Sequence, residues 1–182
     1  MKNKKAIVLL SGGMDSAVTL YMARKTHEVH ALSFEYGQKA SRELVCAARI
    51  AMSAGVKHEV VSISLPWKGS ALLDKNMDIP EHRLSVGKEI PVTYVPARNI
   101  IFLSFAVSFA EAINAEAVFI GAHQLDYSNY PDCRSDFFKS FGAAVKKGTK
   151  TGVQGRKIEI KTPIINMTKS EIVKEGLKLN VP

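Results

Sequence analysis

The chain has 182 residues, 46% of them hydrophobic, which is enough to bury one substantial core and too few for two of ordinary size. The formal net charge of +8 is compatible with binding to nucleic acid or to anionic nucleotides, and also with a role in solubility alone. It therefore does not identify a class of partner. No run of about 18 apolar residues is present that would span a bilayer, and two cysteines are too few for a disulfide scaffold or a four-cysteine zinc site. We therefore expect a single cytoplasmic domain over residues 1–182.

The chain opens with a predicted strand that leads directly into a glycine loop. Residues 6–10 form a continuous apolar run, typical of a strand buried on both faces of a parallel sheet. Residues 11–16 read Ser-Gly-Gly-Met-Asp-Ser, and a helix is predicted over 17–25. Adjacent glycines allow close approach of a ligand, and the first N–H groups of the helix suit a polyphosphate. A purely structural turn is the alternative, because the loop matches neither G-x-x-x-x-G-K-[ST] nor G-x-G-x-x-G.

Predicted strands and helices alternate along the rest of the chain. Further strands are predicted at 29–34, 59–65, 117–121 and 158–162, and helices at 41–54, 100–113, 136–146 and from 168 to about 179. The last helix begins with a capping-box sequence, Thr-Lys-Ser-Glu at 168–171. This alternation predicts an α/β fold with an open, mostly parallel five-stranded sheet and helices on both faces. Ligands of such sheets bind beyond the carboxyl ends of the strands.

Four further expectations concern particular residues and segments. Cys46 is predicted to pack in or near the core, and a single apolar side is predicted for the helix at 41–54, formed by Leu44, Val45, Ala48, Ala51 and Met52. The long connection at 66–93 is expected to be functional or mobile. The basic cluster is predicted to lie in a solvated loop; its members are Lys146, Lys147, Lys150, Arg156 and Lys157.

The sequence at 11–16 resembles the pyrophosphate loop of the N-type ATP pyrophosphatase superfamily, whose members activate a carbonyl or carboxyl group with ATP for attack by a nitrogen or sulfur nucleophile. Other stretches resemble one family within it, the 7-cyano-7-deazaguanine synthases of queuosine and 7-deazapurine biosynthesis. These are Phe-Glu-Tyr-Gly-Gln at 34–38, Gly-Ser-Ala-Leu at 69–72, Ile-Pro-Val-Thr-Tyr-Val-Pro-Ala-Arg-Asn at 90–99, Tyr-Pro-Asp-Cys-Arg at 130–134, and Thr-Pro at 162–163 before the capping box. The pentapeptide at 130–134 is the most diagnostic.

The resemblance covers essentially the whole chain and implies an adenine nucleotide alpha hydrolase-like, Rossmann-like fold. Two features depart from the family pattern. Glu35 stands where the family more often has Asp, and the segment of four zinc-binding cysteines that the family carries toward its C-terminus is absent from this chain. Zinc is therefore expected only for the full-length protein, and no metal ligand is assigned here.

The implied reaction converts 7-carboxy-7-deazaguanine and ammonia to 7-cyano-7-deazaguanine with ATP and Mg²⁺, in a homodimer that does not bind nucleic acid directly. Catalytic candidates are Asp15, Ser16 and Arg98. Candidates for binding ATP are Leu10, Ser11, Gly12, Gly13, Met14, Asp15, Ser16, Ala17, Val18, Phe34, Tyr36, Arg98 and Gly121. Candidates for binding the deazapurine are Tyr130, Asp132, Cys133 and Arg134.

The residues suggest how these roles divide. Backbone N–H groups and the two serine hydroxyls of the loop would hold phosphates, and Asp15 would ligate magnesium, which prefers hard oxygen ligands. Phe34 and Tyr36 would border the adenine. Arg98 would neutralise phosphate charge, or else form an ion pair at the start of a helix.

The sequence leaves two roles open for each of two further side chains. Cys133 suggests a thioester nucleophile, but a lone cysteine without a fixed histidine is more often a buried small residue. His123 follows a strand and is either a proton carrier or a hydrogen-bonded structural residue.

Two other functions are compatible with the same loop. A tRNA-modifying ATP pyrophosphatase, such as a thiolase or a lysidine-type ligase, would show salt-sensitive affinity for tRNA. A non-catalytic nucleotide sensor of universal-stress type would bind ATP and release neither pyrophosphate nor phosphate.

Overall fold

The computed structural model describes residues 4–37, 42–66, 70, 90, 93–123 and 130–182. Within them, one parallel sheet has the strand order β3-β2-β1-β4-β5. The strands are β1 Lys5–Leu9, β2 Glu28–Glu35, β3 Lys57–Ser62, β4 Ala117–Ile120 and β5 Glu159–Lys161. The helices are α1 Met14–Arg24, α2 Arg42–Ser53, α3 Arg98–Ala112, α4 Ser135–Gly148, α5 Lys150–Val153 and α6 Lys169–Lys178, with a 3-10 turn at Pro131–Cys133. The predicted five-stranded α/β fold is confirmed.

Strand β1 lies at the centre of the sheet, where the strand order reverses. Ala6 is in register with Val29 of β2 on one side and with Ala117 of β4 on the other. The connection after β1 leads towards β2, whereas the connection after β4 leads towards β5. A crevice therefore opens beyond the carboxyl ends of β1 and β4, which is the usual ligand position in open α/β sheets.

Alternate side chains of β1 enter the core on the two faces of the sheet. Ala6 and Val8 pack with residues of α1 and α2, whereas Ile7 and Leu9 pack with residues of α3 and α4. A third cluster joins α6 to α1. Since both faces are covered, β1 can be apolar throughout, which is the pattern that predicted it.

Helix α2 does not pack as its apolar pattern predicted. Ala47 and Ala51 are buried, whereas the side chains of Val45 and Met52 are exposed, and Cys46 is exposed instead of lying in or near the core. The first turn of α2 lies tightly against the loop after β1, since a Cβ on Gly12 would be 2.3 Å from a main-chain oxygen of the helix. Small residues therefore supply the fully buried positions of the contact face, Ile50 packs at its edge, and Val45 and Met52 lie outside it.

The basic cluster is divided between helices and a loop: Lys146, Lys147 and Lys150 lie on helices, where the prediction of a solvated loop is wrong, whereas Arg156 and Lys157 lie in the exposed connection before β5, as predicted. Lys146 and Lys147 end α4, where the helix dipole favours cations, and α5 follows directly. One local and one tertiary hydrogen bond hold the start of this second helix. Thr149 Oγ1 accepts from the Gly152 amide at 3.0 Å, and a carboxylate oxygen of Glu111 accepts from the Thr151 amide at 2.7 Å.

Among the described helices, none is both long enough and apolar enough to cross a bilayer. The connection predicted at 66–93 falls almost wholly outside the described residues. The capping box at 168–171 is confirmed, since Thr168 Oγ1 accepts from the Glu171 amide at 3.3 Å and Glu171 Oε2 accepts from the Thr168 amide at 2.7 Å.

Candidate functional site

The loop between β1 and α1 is held in shape by two serine hydroxyls. Ser16 Oγ donates to the Gly13 carbonyl at 2.9 Å and accepts from the Ser11 amide at 3.2 Å. Ser11 Oγ lies 3.1 Å from Ser16 Oγ and accepts a long hydrogen bond of 3.4 Å from the Gly13 amide. Ser16 is buried, so it supports the loop from within, whereas Ser11 is exposed on the side that a ligand would approach.

Two glycines allow neighbouring elements to meet at this loop. Gly12 has a φ of +86°, and a Cβ there would lie 2.3 Å from the Glu43 carbonyl oxygen of α2. Gly121 directly follows β4, and its Cβ would lie 2.9 Å from the carbonyl carbon and oxygen of Asp15. Such distances cannot be accommodated without moving backbone, so glycine is required at both positions.

No side chain among the described residues caps the start of helix α1. Its N-cap residue is Gly13, and Met14 at the first helical position is exposed. The first N–H groups of a helix have no acceptor within the helix, and they carry the positive end of its dipole. An anion at the mouth of this loop would supply the acceptors that a capping side chain provides elsewhere.

Asp15 pairs with a lysine that the sequence analysis did not select. Lys169 Nζ donates to Asp15 Oδ2 at 2.8 Å, across 154 positions of sequence. The other carboxylate oxygen, Oδ1, is buried and has no hydrogen-bond partner among the described residues. Lys169 lies within the capping box at 168–171, and this motif is the sequence signal by which Lys169 could have been selected.

Some of the candidates for binding ATP have side chains that face the core. Leu10 and Ala17 are buried, and Val18 packs against Ile164 and Ile172. Only the backbone of these residues is available near the loop. Phe34 is also buried, with its ring stacked on Phe102 at a centroid separation of 4.1 Å.

Arg98 begins α3 and connects the end of β2 with the 130–134 segment. Its Nη1 donates to the Tyr36 hydroxyl at 3.2 Å, and its guanidinium carbon lies 5.9 Å from the centre of the Phe102 ring. Burial lowers the pKa of the Arg98 guanidinium, but Tyr36, Asp132 and Cys133 together raise this pKa by a larger amount. The net pKa is raised, so the guanidinium is cationic. A positive charge is therefore held beside the candidate site.

Glu43, at the start of α2, is a second charged residue that sequence reasoning missed. Burial raises the pKa of its carboxyl group, while the positive charge of Arg98 acts in the opposite direction. Nothing local to the sequence distinguishes Glu43 from other helix-opening acids.

The Asp132 carboxylate is hydrogen-bonded to the start of α3. Its Oδ2 accepts from the Asn99 amide at 3.0 Å, and Asn99 Nδ2 donates to the Asp132 carbonyl at 3.1 Å. The N-cap residue of α3, Ala97, has no capping side chain and a φ of 54°, so Asp132 acts as the cap from another segment. Asp132 is 4% exposed, and burial raises the pKa of its carboxyl group.

The other three deazapurine candidates differ in exposure. The Tyr130 hydroxyl is 2.6 Å from Thr93 Oγ1, and Arg134 is exposed and pairs with Asp136 at 3.3 Å. Burial raises the pKa of Cys133 to about 11, so its thiol is protonated at neutral pH. A thioester nucleophile needs the thiolate, and the structure therefore favours the interpretation of Cys133 as a packed residue.

His123 follows β4 and is buried. Its Nε2 is hydrogen-bonded to the carbonyl oxygen of Met167, shortly before α6. Since that carbonyl can only accept, Nε2 carries the proton. This contact supports the structural alternative for His123.

Three solved structures define the class of fold. U34-tRNA thiolase NcsA from Methanococcus maripaludis aligns with 100% of this chain and 59% of its own, with a TM-score of 0.60 and 16% identity. NMN synthetase from Francisella tularensis gives a TM-score of 0.54 at 18% identity, over 100% of this chain and 63% of its own. The NH3-dependent NAD synthetase from Campylobacter jejuni gives a TM-score of 0.53 at 18% identity, and the alignment covers 100% of this chain and 66% of its own. The fold is thus the adenine nucleotide alpha hydrolase-like fold of PP-loop proteins and NAD synthetases, as predicted.

Sequence comparison identifies the family. The model of the family described as "Queuosine biosynthesis protein QueC" matches residues 5–182. The 7-cyano-7-deazaguanine synthase of Cyanothece sp. is 49% identical over 183 residues, covering 98% of this chain and 80% of the relative. The 7-cyano-7-deazaguanine synthase of Desulfatibacillum aliphaticivorans is 47% identical over 186 residues, covering 100% of this chain and 80% of the relative. The chain belongs to the QueC family of enzymes, and the resemblance found in its motifs is confirmed.

Proposed function

We propose that this chain converts 7-carboxy-7-deazaguanine and ammonia to 7-cyano-7-deazaguanine at the expense of ATP. Its curated relatives are named for that product, and the substrates are those that the family resemblance implies. The observation that carries the proposal is the uncapped start of α1, which faces the crevice between β1 and β4. The exposed Ser11 hydroxyl and the Asp15–Lys169 pair border this start. Together they offer donors and charge suited to a triphosphate.

The reaction requires activation of a poor electrophile. A carboxylate does not lose oxide to ammonia at neutral pH, so ATP must first convert one carboxylate oxygen into a leaving group. Ammonia then displaces that group and forms an amide. ATP must activate the amide oxygen in the same way, so that this oxygen leaves with the group transferred from ATP while the nitrogen loses its two protons and the nitrile forms. Residues 12–16 would bind the phosphates, and Arg98 would offset the negative charge that develops beside them.

Magnesium fits this loop through Asp15. The carboxylate supplies the hard oxygen atoms that Mg²⁺ prefers, and its Oδ1 has no hydrogen-bond partner within the described residues. Bound magnesium would neutralise part of the phosphate charge. Zinc is proposed, from the family resemblance, only for the full-length protein; this chain has two cysteines, and its described residues contain no group of three His, Cys, Asp or Glu side chains that could hold a metal ion.

The deazapurine is proposed to bind near residues 130–134. Tyr130 supplies an aromatic ring beside Tyr94, with 5.6 Å between ring centroids, and the exposed Arg134 supplies hydrogen-bond donors. Asp132 would join this segment to the start of α3, and so hold residues 130–134 in place for the deazapurine as well as Arg98 for the phosphates. Three parts of the proposal rest on the family resemblance: the homodimer, the cytoplasmic location and the lack of direct contact with nucleic acid.

The test is mass spectrometry of a reaction containing 7-carboxy-7-deazaguanine, ATP, Mg²⁺ and ¹⁵N-ammonium. The expected product is the nitrile carrying one ¹⁵N atom, with no product when ATP is left out. ATP binding without any turnover would favour the sensor. Salt-sensitive tRNA binding, with no nitrile formed, would favour the tRNA-modifying alternative.

A further inference from the structure

We propose that Ser33 and His58 are positioning residues for the phosphate loop at 11–16. They hold the peptide unit between Leu10 and Ser11 in one orientation, and this unit leads the chain from β1 into the loop. The proposal rests on the proposed use of ATP at this loop. Neither side chain has to contact the nucleotide, because the effect of both passes through the backbone.

Two linked hydrogen bonds join β3 to the end of β1. The Ser33 hydroxyl, on β2, donates to the Leu10 carbonyl at 2.5 Å, and its oxygen lies 2.7 Å from His58 Nε2 on β3. Because a carbonyl can only accept, the hydroxyl proton is used there, and the Ser33 oxygen accepts from His58. The Nε2 atom of His58 therefore carries a proton.

The His58 imidazole keeps this bond whether or not it is charged. Burial lowers the pKa of His58, and Glu59 opposes this effect only in part, so the ring is neutral at pH 7. With a proton on Nε2, the neutral ring has its free electron pair on Nδ1, and protonation takes place there. His58 is thus a constant donor to Ser33.

The peptide unit between Leu10 and Ser11 is fixed at both of its polar atoms. Ser33 donates to the carbonyl oxygen of the unit, and the N–H group of the unit donates to Ser16 Oγ at 3.2 Å. Ser16 Oγ in turn donates to the Gly13 carbonyl at 2.9 Å. Because a peptide is planar, this unit cannot rotate without breaking a hydrogen bond at each end. A path of polar contacts therefore leads from β3 to the N-cap residue of α1.

The fixed plane matters because two glycines follow Ser11. Gly12 and Gly13 have wide backbone freedom of their own. On one side, α2 limits the loop, since a Cβ on Gly12 would lie 2.3 Å from the Glu43 carbonyl oxygen. The rigid peptide unit that precedes the glycines limits it on the other side. The positions of the loop amides, on which phosphate affinity depends, are therefore sensitive to this unit.

The packing of the sheet does not itself require a hydroxyl at position 33. Val29 and Ala31 lie on the same face of β2 and belong to the apolar cluster beneath α1 and α2. Ser33 is only 1% exposed, and a buried hydroxyl is unfavourable unless it is hydrogen-bonded. The serine is explained by its two partners, the Leu10 carbonyl and His58.

The first experiment measures the affinity of the full chain for inorganic pyrophosphate by calorimetry, at a temperature where every variant is folded. Ser33→Ala should weaken binding by roughly 3- to 10-fold, the loss expected for one hydrogen bond between uncharged groups. Ser33→Thr keeps the hydroxyl and should recover most of the affinity. Ser62→Ala is the matched control and should bind as the wild type does, because Ser62 on β3 donates to Glu35 of β2 at 2.8 Å and this bond does not lead to the loop.

The role of His58 is tested by a double-mutant cycle. His58→Ala should weaken pyrophosphate binding several-fold in the wild-type background and have no further effect in Ser33→Ala, because its influence passes through that hydroxyl. His58→Gln, whose side-chain amide can still donate to Ser33, should restore part of the loss. Equal losses in the two backgrounds would refute the link between His58 and Ser33.

Hydrogen exchange followed by NMR gives a second readout that needs no turnover. The Ser11 amide should exchange several-fold faster in Ser33→Ala and in His58→Ala than in the wild type, and no faster in Ser62→Ala. Amides of α6 are the internal reference, since a general loss of stability would speed their exchange as well. Undiminished pyrophosphate affinity in a folded Ser33→Ala variant, or an unchanged exchange rate at Ser11, would overturn the proposal.

Steady-state kinetics distinguish the positioning role from the proposed function. Ser33→Ala should raise the KM for ATP and leave the KM for the deazapurine unchanged, because the hydrogen bonds lead only to the phosphate loop. If the wild type forms the nitrile and Ser33→Ala binds pyrophosphate normally, the positioning role is refuted and the function stands. If the wild type binds neither ATP nor pyrophosphate, both proposals fail.

Discussion

The phosphate loop at 11–16 and the segment at 130–134 form two sides of the candidate site, and they differ in whether their polar groups have hydrogen-bond partners within the protein. At the phosphate loop, the α1 N-terminus has no side-chain cap and Asp15 Oδ1 has no partner among the described residues. In the 130–134 segment, Asp132 caps α3 and Cys133 lies beside the Asn99 side-chain amide at 3.2 Å. The loop is organised to receive a ligand, whereas the pentapeptide is organised first to hold the fold. A motif diagnostic of a family can therefore act through structure as well as through contact.

The largest effect is expected at Asp15. Asp15→Ala should lower kcat/KM by about 100-fold or more, because it removes the carboxylate that is proposed to hold magnesium beside the phosphates. Rates of nitrile formation measure the loss, and circular dichroism should show an unchanged fold. Undiminished activity of the purified variant would remove the phosphate-loop assignment.

Gly121 tests whether the close approach of β4 and α1 matters. Gly121→Ala places a Cβ 2.9 Å from the Asp15 carbonyl, which should cost about 1–3 kcal/mol of unfolding free energy and raise the KM for ATP. Gly148→Ala is the control, since its Cβ would meet nothing within 4 Å. Urea denaturation of both variants gives the comparison, and equal stability of the two would contradict the packing argument.

Asp132 tests the other side of the comparison. Asp132→Ala should lower the unfolding free energy by about 1–2 kcal/mol through loss of the α3 cap, and it should raise the KM for the deazapurine more than the KM for ATP. Asp132→Asn keeps an acceptor for the Asn99 amide and should restore most of the stability. Equal changes in the two KM values would assign Asp132 a capping role alone.

The smallest effect on activity is expected at Cys133. Because burial raises the pKa of its thiol to about 11, Cys133 should react with iodoacetamide at pH 8 far more slowly than the exposed Cys46. Cys133→Ala should retain activity within about fivefold. Rapid alkylation of Cys133, or abolished turnover in a folded Cys133→Ala, would reopen the nucleophile interpretation.

The pKa of Cys133 also predicts a stability profile. The folded state holds the thiol proton more tightly than the unfolded state does, so the thiol contributes stability below about pH 9 that is lost as the pH rises towards 11. Thermal unfolding from pH 7 to 11 should therefore be less pH-dependent in Cys133→Ala than in the wild type. A profile that is the same in both proteins would contradict the raised pKa.

Some structural predictions failed for a common reason. The exposure of Cys46 and Met52 depends on how closely α2 lies against the Gly12 loop, and the start of α5 is held in part by Glu111, whose carboxylate accepts from the Thr151 amide. Both depend on partners far away in sequence. Apolar periodicity indicates that a helix has a buried side, but the separation between helix and sheet selects the side chains that fit there.

The sequence alone determined the strand, glycine loop and helix start at 5–16, the alternation of strands and helices, and the capping box at 168–171. These features are encoded by neighbouring residues, since backbone freedom, apolar runs and cap hydrogen bonds act over a few positions. Only the tertiary structure decided that β1 is central, that Asp132 caps α3 and that Lys169 meets Asp15 across 154 positions. Such contacts are set by the order of strands in the sheet and by helix packing, which no local pattern specifies.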